Sequence, residues 1–438
     1  MFEVFRNAWK VAELRRKILY TLFIIVIFRL GSAVFVPFLD TEAVGSMLKG
    51  ASLLTYLDIM TGGALGQGTL FAMSITPYIN SSIIIQLLTV AIPALERLSK
   101  EGDEGRKKLN KITKLTTLGL ALFQATAFYF ALRNSYAVAY RDGFAGVLSA
   151  IAIIACLVAG ACLIVWLGDQ INEKGIGNGI SMILFSGIVA RGPEAILTLF
   201  EITKNDPAKI IVAIAIVAVF VLMIGLVVLM TNAERRIPVQ YAKRVVGRKM
   251  YGGQSTHIPI KVAMAGVMPI IFAMSVMSLP QTICYFFGID GTGTSFWDGF
   301  VRLFSQSSPV YAVLYFVLII AFNYFYIAIQ YNPVEIANNL KKNNGAIPGI
   351  RPGRPTSDFI QNSLSKISLI GALFLAFIAI FPIILSMIFS HVKALMDFAE
   401  VGLSLGGTTL LIVVGVALET VRQLESQMMM RHHKGFLE

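Results

Sequence analysis

Long apolar runs separated by short polar segments occupy most of this chain. A spanning helix needs about 20 mostly apolar residues. By that measure residues 18–39, 74–92, 115–132, 147–167, 210–230, 261–287, 309–330, 367–390 and 402–420 are candidate spans. A tenth run, 176–190, is short and dotted with glycine, and hydropathy alone does not decide it. Ahead of the first span, residues 1–17 pattern as an amphipathic interfacial helix, with Phe2, Phe5 and Trp9 against Arg6, Lys10, Arg15, Arg16 and Lys17. The apolar run that follows is too long for a signal peptide and carries no small-residue cleavage site, so it reads as a retained span.

The distribution of positive charge decides the tenth run. Loops 93–114 and 231–261 are the two most basic. Basic loops stay on the cytosolic side, so an even number of spans must separate these two. Counting 176–190 gives four. The chain then has ten spans with both termini cytosolic, and 28 of its 37 Lys and Arg fall inside, against 8 outside. The acids divide 14 to 11. The bias therefore belongs to positive charge, as the rule requires. Ten spans divide into two halves of five, 18–200 and 201–421, followed by a tail at 422–438. Five is odd, so duplicated halves would be inverted in the membrane.

Composition agrees. Of the 438 residues, 56% are hydrophobic and 14% charged, with a mean hydropathy of +0.73, against about 25% charged in soluble domains. The net charge of +12 leaves ribosomal RNA as the one plausible nucleic-acid partner. Cys156, Cys162 and Cys284 lie in apolar runs without CxxC spacing, which implies neither a disulfide framework nor a metal.

The span interiors carry almost no titratable side chain. Arg29, near the outer end of the first span, reads as snorkelling to the interface. Asn80, Gln86, Gln124, Gln281 and Asn323 are polar but do not titrate, and such residues commonly bond between helices. An ion-coupled transporter places ionisable groups within its spans. No nucleophile, metal cluster or phosphate loop is evident, and "GIGNGIS" (175–181) lacks GxGxxG spacing. An enzyme is therefore disfavoured and no cofactor is expected. A gated channel and an inverted-repeat secondary transporter both remain open at this level.

Two further features favour a channel. Residues 57–71, "LDIMTGGALGQGTLF", hold four glycines and a single charge, Asp58, directly before an apolar helix. The basic loop 231–261 carries Arg235, Arg236, Lys243, Arg244 and Arg248 with Tyr241 and Tyr251; loop 331–366 carries Arg351 and Arg354 among clustered Pro and Gly. Pro348, Pro352 and Pro355 fix the backbone of the second loop. Such loops suit docking of a large acidic partner.

The runs "TPYINSSIIIQLLTV", "KEGDEGRKKL", "KGIGNGIS", "RRIPVQYAKR", "QSTHIPIKVAMAGVMPIIFA", "NPVEIANNLKKNNGAIPGIRPGRPT" and "GGTTLLIVVGVALET" closely resemble the SecY family, the channel-forming subunits of the bacterial Sec protein translocon. The resemblance runs nearly end to end. It implies an all-α polytopic fold: ten transmembrane helices in two inverted five-helix halves, a clamshell with a short plug helix, in the bacterial cytoplasmic membrane. Leu57, Asp58, Ile59, Met60, Thr61, Gly62, Gly63, Ala64 and Leu65 match the plug, whose glycines would keep it a marginal helix at up to about 1 kcal/mol each.

By the same resemblance Ile79, Ile83, Ile180, Leu184, Ile271 and Ile412 match the pore ring. Isoleucine is common in the family where Leu184 stands. A narrow aliphatic ring gates by dewetting, yet deforms around any extended polypeptide. Gln86, Gln281 and Asn323 lie on the spans that border the family's lateral gate; Gln86 is expected to help hold it shut, by about 0.6–2 kcal/mol. The implied partners are SecE-like and SecG-like small membrane subunits, the SecA ATPase, the translating ribosome, unfolded preproteins and their signal sequences, and membrane lipid. SecA or the ribosome would dock on Arg235, Arg236, Lys243, Arg244, Arg248, Arg351 and Arg354.

Overall fold

The apolar runs fold as helices, and the residues that start them are set locally. The computed structural model describes residues 2–49, 58, 61–241, 244–246, 249–251, 255–286, 296–305, 308–391, 398 and 407–434. In chain order the helices are α1 (Phe2–Lys10), α2 (Ala12–Gly31), α3 (Thr41–Lys49), α4 (Thr76–Ala91), α5 (Pro93–Lys100), α6 (Asp103–Asn134), α7 (Gly143–Lys174), α8 (Gly179–Asn205) and α9 (Ile210–Asn232). Four strands follow: β1 (Glu234–Tyr241), β2 (Arg244–Val246), β3 (Lys249–Tyr251) and β4 (Ser255–Lys261). Then come α10 (Met268–Phe286), α11 (Phe296–Leu303), α12 (Pro309–Gln330), α13 (Pro333–Lys342), β5 (Gly345–Ala346), α14 (Arg354–His391) and α15 (Gly407–Lys434).

Capping explains several starts. Ser308 accepts from the Val310 amide at 3.3 Å, with Pro309 in the first turn of α12. Asn332 accepts from the amides of Val334 and Glu335, with Pro333 opening α13. Each cap satisfies backbone donors that a helix start leaves free. Between α4 and α5 the chain bends by 101°. Pro93 supplies the cause: it forces Ile92 into the extended region (φ −108°, ψ 113°), so helix geometry cannot run through.

Among the described residues, six helical stretches are long and apolar enough to cross a membrane: α6, α7, α8, α9, α12 with α13 (Pro309–Lys342) and α14. Counting α4 and α5 as one bent span makes seven, and α10 contributes a shorter apolar helix over Met268–Gln281. Several boundaries differ from the hydropathy reading. The eighth helix does not stop near 190 but continues through Pro193 to Asn205. The helix expected from 367 begins at Arg354, because its first turns are polar and hydropathy does not see them. The first span, expected over 18–39, is helical only as far as Gly31, and the amphipathic segment expected over 1–17 breaks at Val11, which is extended (φ −87°, ψ 113°).

The larger departure is β structure. The chain is mostly helical but not all-α: β1 pairs antiparallel with β4 on one side and β5 on the other, and β2 pairs with β3. The reason lies in the alternation of "IPVQY". Ile237 and Val239 are buried while Pro238 and Gln240 are exposed, the period of two that a half-buried strand requires. Ile237, Val239 and Ile260 pack with Leu340, Ile347, Ile360, Leu364 and Ile367 into a small core. The two basic loops are thereby joined into one body at the base of α14.

Candidate functional site

The residues expected to form the ring come from four helices. α4 carries Ile79 and Ile83, α8 carries Ile180 and Leu184, α10 carries Ile271 and α15 carries Ile412. Ile79, Ile180, Leu184, Ile271 and Ile412 all belong to one central apolar cluster, together with Ala64, Phe71, Ile75, Ile183 and Ile188. Ile83 is buried at 4% exposure but lies outside that cluster. The elements thus bring five of the six together, and Ala64 of the glycine-rich segment packs among them.

Polar contacts around "GIGNGIS" hold this cluster in register. The Asn178 side chain caps α8 by accepting from the amides of Ile180 (3.1 Å) and Ser181 (3.4 Å). The Gly177 amide donates to Gln423 Oε1 of α15 at 2.8 Å, and the Gly179 amide to Asn172 Oδ1 of α7 at 2.8 Å. Thr21 of α2 accepts from the Ile176 amide at 3.0 Å. A Cβ at Gly179 would sit 1.9 Å from the Gly168 carbonyl oxygen, so only glycine admits this approach of α8 to α7. Four helices meet here at one turn of backbone, which sequence reasoning passed over because its spacing matched no phosphate loop.

Among the described residues, helical geometry in the glycine-rich segment does not extend beyond Thr61. Helical geometry is present at Asp58 and Thr61; Leu57, Ile59 and Met60 lie outside the described residues. From Gly62 to Ile75 the chain runs as turns with one antiparallel bridge, Phe35 to Thr69. Gly62, Gly63 and Gly68 have φ of +70°, +90° and +60°, left-handed values that a right-handed helix cannot contain. The segment is nonetheless ordered by its own bonds. Thr61 Oγ1 donates to the Asp58 carbonyl (2.9 Å) and accepts from the Leu65 amide (3.2 Å), while Thr69 Oγ1 donates to the Ala64 carbonyl (3.0 Å). Thr61, Ala64 and Leu65 are buried at 2%, 1% and 5% exposure.

Its charge is paired. Asp58, 4% exposed, forms an ion pair with Arg191 of α8 and accepts from the Gly66 amide at 2.6 Å. Arg29 does not snorkel. Its guanidinium turns inward and donates to the carbonyls of Ser186 (2.6 Å) and Gly187 (3.1 Å) on α8 and, more weakly, of Gly62 (3.5 Å). Hydropathy reads a lone arginine near a helix end as a surface residue; its acceptors are visible only after folding.

Of the three polar residues near the expected lateral seam, one bridges it. The Tyr326 hydroxyl of α12 donates to Gln86 Oε1 of α4 at 3.0 Å. The Tyr326 ring also meets Phe272 of α10 edge-on, centroids 5.2 Å apart. Asn323 instead donates to the Ser368 carbonyl on α14 at 3.1 Å, and Gln281 donates to the Phe304 carbonyl just after α11. These two hold neighbours on the same side. Beside the Gln86–Tyr326 bond lies a cavity of about 460 Å³ walled by α4, α6 and α12. Sequence reasoning found Gln86 but missed Tyr326, which nothing in the sequence separates from the other aromatics of α12.

On the sheet-bearing body, Arg235, Arg236, Arg351 and Arg354 are all exposed. Arg236 pairs with Glu234 at 2.8 Å. The turn that carries Arg351 is fixed by positive φ at Gly349 (+79°) and Gly353 (+110°) and by the Thr356 hydroxyl, which donates to the Arg351 carbonyl at 2.8 Å. A Cβ at Gly345 would lie 2.9 Å from the Tyr241 ring, so β5 can approach β1 only without one. Lys243 and Arg248 lie outside the described residues, and Arg244 is described only by its backbone in β2.

Comparison with known proteins gives a consistent result. The SecY family model matches residues 69–421. The protein translocase subunit SecY of Streptomyces galbus is 42% identical over 453 residues, covering 100% of both chains. That of Thermotoga maritima is 39% identical over 446 residues, covering 100% of this chain and 98% of its own. Among solved structures, a protein conducting channel matches with a TM-score of 0.61 at 18% identity, covering 94% of this chain and 92% of the other. Sec61 in the canine ribosome-channel complex matches with a TM-score of 0.60 at 17% identity, with the same coverages. At that identity the two structures speak to the fold.

Proposed function

The chain belongs to the SecY family, and on that premise we propose that it is the channel through which unfolded secretory polypeptides cross the bacterial cytoplasmic membrane. It is a translocase subunit and not itself an enzyme. The observation that carries the channel reading is the central cluster, where aliphatic side chains from α4, α8, α10 and α15 converge on one point and on Ala64. An aliphatic constriction offers water and ions no hydrogen bond, so it closes by dewetting. It also demands no chemistry of its substrate, which suits passage of arbitrary sequences.

The remaining parts take places around this ring. The ten spans, in two inverted halves with cytosolic termini, are the arrangement that the charge bias supports. Residues 57–71 act as the plug. The seam between α4 and α12, closed by Gln86 and Tyr326, opens sideways so that signal sequences and nascent membrane helices reach lipid. Lys243, Arg244 and Arg248, with the exposed arginines 235, 236, 351 and 354, receive SecA or the ribosome, each an acidic or polyanionic partner to which cations steer association. SecE-like and SecG-like subunits complete the complex.

Photo-crosslinking tests the path. A crosslinking side chain at Ile83 or Ile412 is compared with one at Val217, 48% exposed on α9 and outside the ring. With a secretory chain stalled halfway by a folded tag, in the presence of SecA and ATP, adducts form at Ile83 and Ile412 and not at Val217. Transport without adducts at either ring position would place the path elsewhere.

A further inference from the structure

Charged side chains of three elements bear on the glycine-rich segment: Arg191 pairs with Asp58, and Arg29 donates to the Gly62 carbonyl. Asp58 belongs to the segment, Arg29 to α2 and Arg191 to α8. Nothing else in the segment between Gly62 and Ile75 is charged. Its attachment to the helices therefore combines apolar packing, at Ala64 and Phe71, with this one cluster.

We propose that Arg29, Asp58 and Arg191 form a charge latch that positions the plug in the closed channel and hands Arg191 to Glu194 when the plug leaves. The inference rests on the channel reading above.

Three observations carry it. First, the glycines are shaped to the latch. A Cβ at Gly62 would sit 2.7 Å from the Gly187 carbonyl oxygen and 2.8 Å from both terminal nitrogens of Arg29. A Cβ at Gly63 would sit 3.4 Å from an Arg191 nitrogen. The two arginines thus lie directly against the backbone of the turn. Second, the acid is held on both sides: one oxygen of Asp58 takes the Gly66 amide and the other takes Arg191. The pair therefore fixes the turn and fixes it to α8. Third, the release route is already present. Glu194, three residues beyond Arg191 and largely exposed, has a carboxylate oxygen 3.7 Å from Arg191 Nε. That Nε is buried and has no hydrogen-bond acceptor in this arrangement.

Release consequently leaves no bare cation on α8. Arg191 has Glu194 within reach, and Arg29 keeps the Ser186 and Gly187 carbonyls. The two helices lose only their contacts to the segment. An unpaired buried charge would make opening prohibitively costly; a waiting partner removes that cost from the fixed part of the molecule and keeps the ion pair specific to the closed state.

The test uses the complete channel complex in a planar bilayer without substrate, reading the fraction of time it conducts. Asp58→Asn and Arg191→Gln are each expected to raise that resting fraction by roughly tenfold or more, as truncating one member of a buried pair does. The double variant should leak no more than the leakier single. Arg191→Lys, which keeps the charge, should stay near wild type. Glu194→Gln should lower the fraction opened by a stalled substrate severalfold relative to its own resting fraction. Wild-type closure in either single variant, a double variant whose leak is the product of the singles, or equal leaks for Arg191→Lys and Arg191→Gln would overturn the latch. An unaltered response to substrate in Glu194→Gln would overturn the hand-over. Ring crosslinking in the same variants reports separately on the channel reading: adducts with no change in leak refute the latch alone.

Discussion

Two contacts between elements of this molecule are built from different materials. The seat of the glycine-rich segment holds an ion pair, an arginine on three carbonyls, and glycines at φ +70° and +90°. The seam between α4 and α12 holds one neutral hydrogen bond, Tyr326 to Gln86, and edge-on aromatic contacts from Phe272. The first is specific, directional and intolerant of added atoms. The second is largely apolar, and an apolar surface separated from its partner can be covered by lipid or by another helix at little cost. In the function proposed above, a plug must return to one place, whereas a lateral opening must accept many sequences. The chemistry of each seam suits what passes through it.

The difference can be broken from its stronger side first. Gly62→Val adds a Cβ where φ is +70° and where Gly187 and Arg29 already stand within 2.8 Å. The left-handed backbone alone costs about 1–2 kcal/mol for such a residue, and overlap with the fixed carbonyl adds about 1–3 kcal/mol. The plug should leave its seat, and resting conductance should rise more than in any variant of the α4–α12 seam. Conductance at the wild-type level would show that the turn is not seated as described.

The weaker side is sharpened by Tyr326→Phe. This variant removes the hydroxyl and keeps the ring against Phe272. A bond between helices in lipid is worth about 0.6–1.7 kcal/mol, so the seam should open only a few-fold more often, read as increased crosslinking of α4 to lipid. Resting ion conductance should stay close to wild type, because the plug seat is untouched. If Tyr326→Phe instead leaked ions as strongly as Gly62→Val, the two seams would not be separate devices.

How legible these features were depends on whether they are local. Apolar length marks six helices long enough to span, or seven with the bent pair, but not their ends: α2 stops at Gly31 and α8 runs on to Asn205. The expectation of an aliphatic ring came through resemblance, since a single isoleucine such as Ile271 carries no signal by itself. The alternation of Ile237, Val239 and Tyr241 was present in the sequence; basic charge on both flanks drew attention to docking and away from strand pairing. Arg29 shows the opposite situation. Its position near a helix end predicts snorkelling, and only the folded chain brings Ser186 and Gly187 beside it. The same holds for Asp58 and Arg191, which are far apart in sequence, and for Gln423, whose contact with Gly177 joins residues 246 positions apart. Partners of buried polar groups are tertiary facts, and Arg29 and Arg191, which meet the glycine-rich segment, are of that kind.

The central claim is that the plug and the ring form one closed seal, with Ala64 packed among the ring side chains. The most direct measurement is the reactivity of Ala64→Cys toward a membrane-impermeant thiol reagent added outside, in a chain whose Cys156, Cys162 and Cys284 have been replaced. Ala64 is 1% exposed, so the account predicts protection at rest and rapid labelling once a secretory chain occupies the channel. Rapid labelling of the resting channel, or protection that persists while a polypeptide is threaded through the ring, would contradict it.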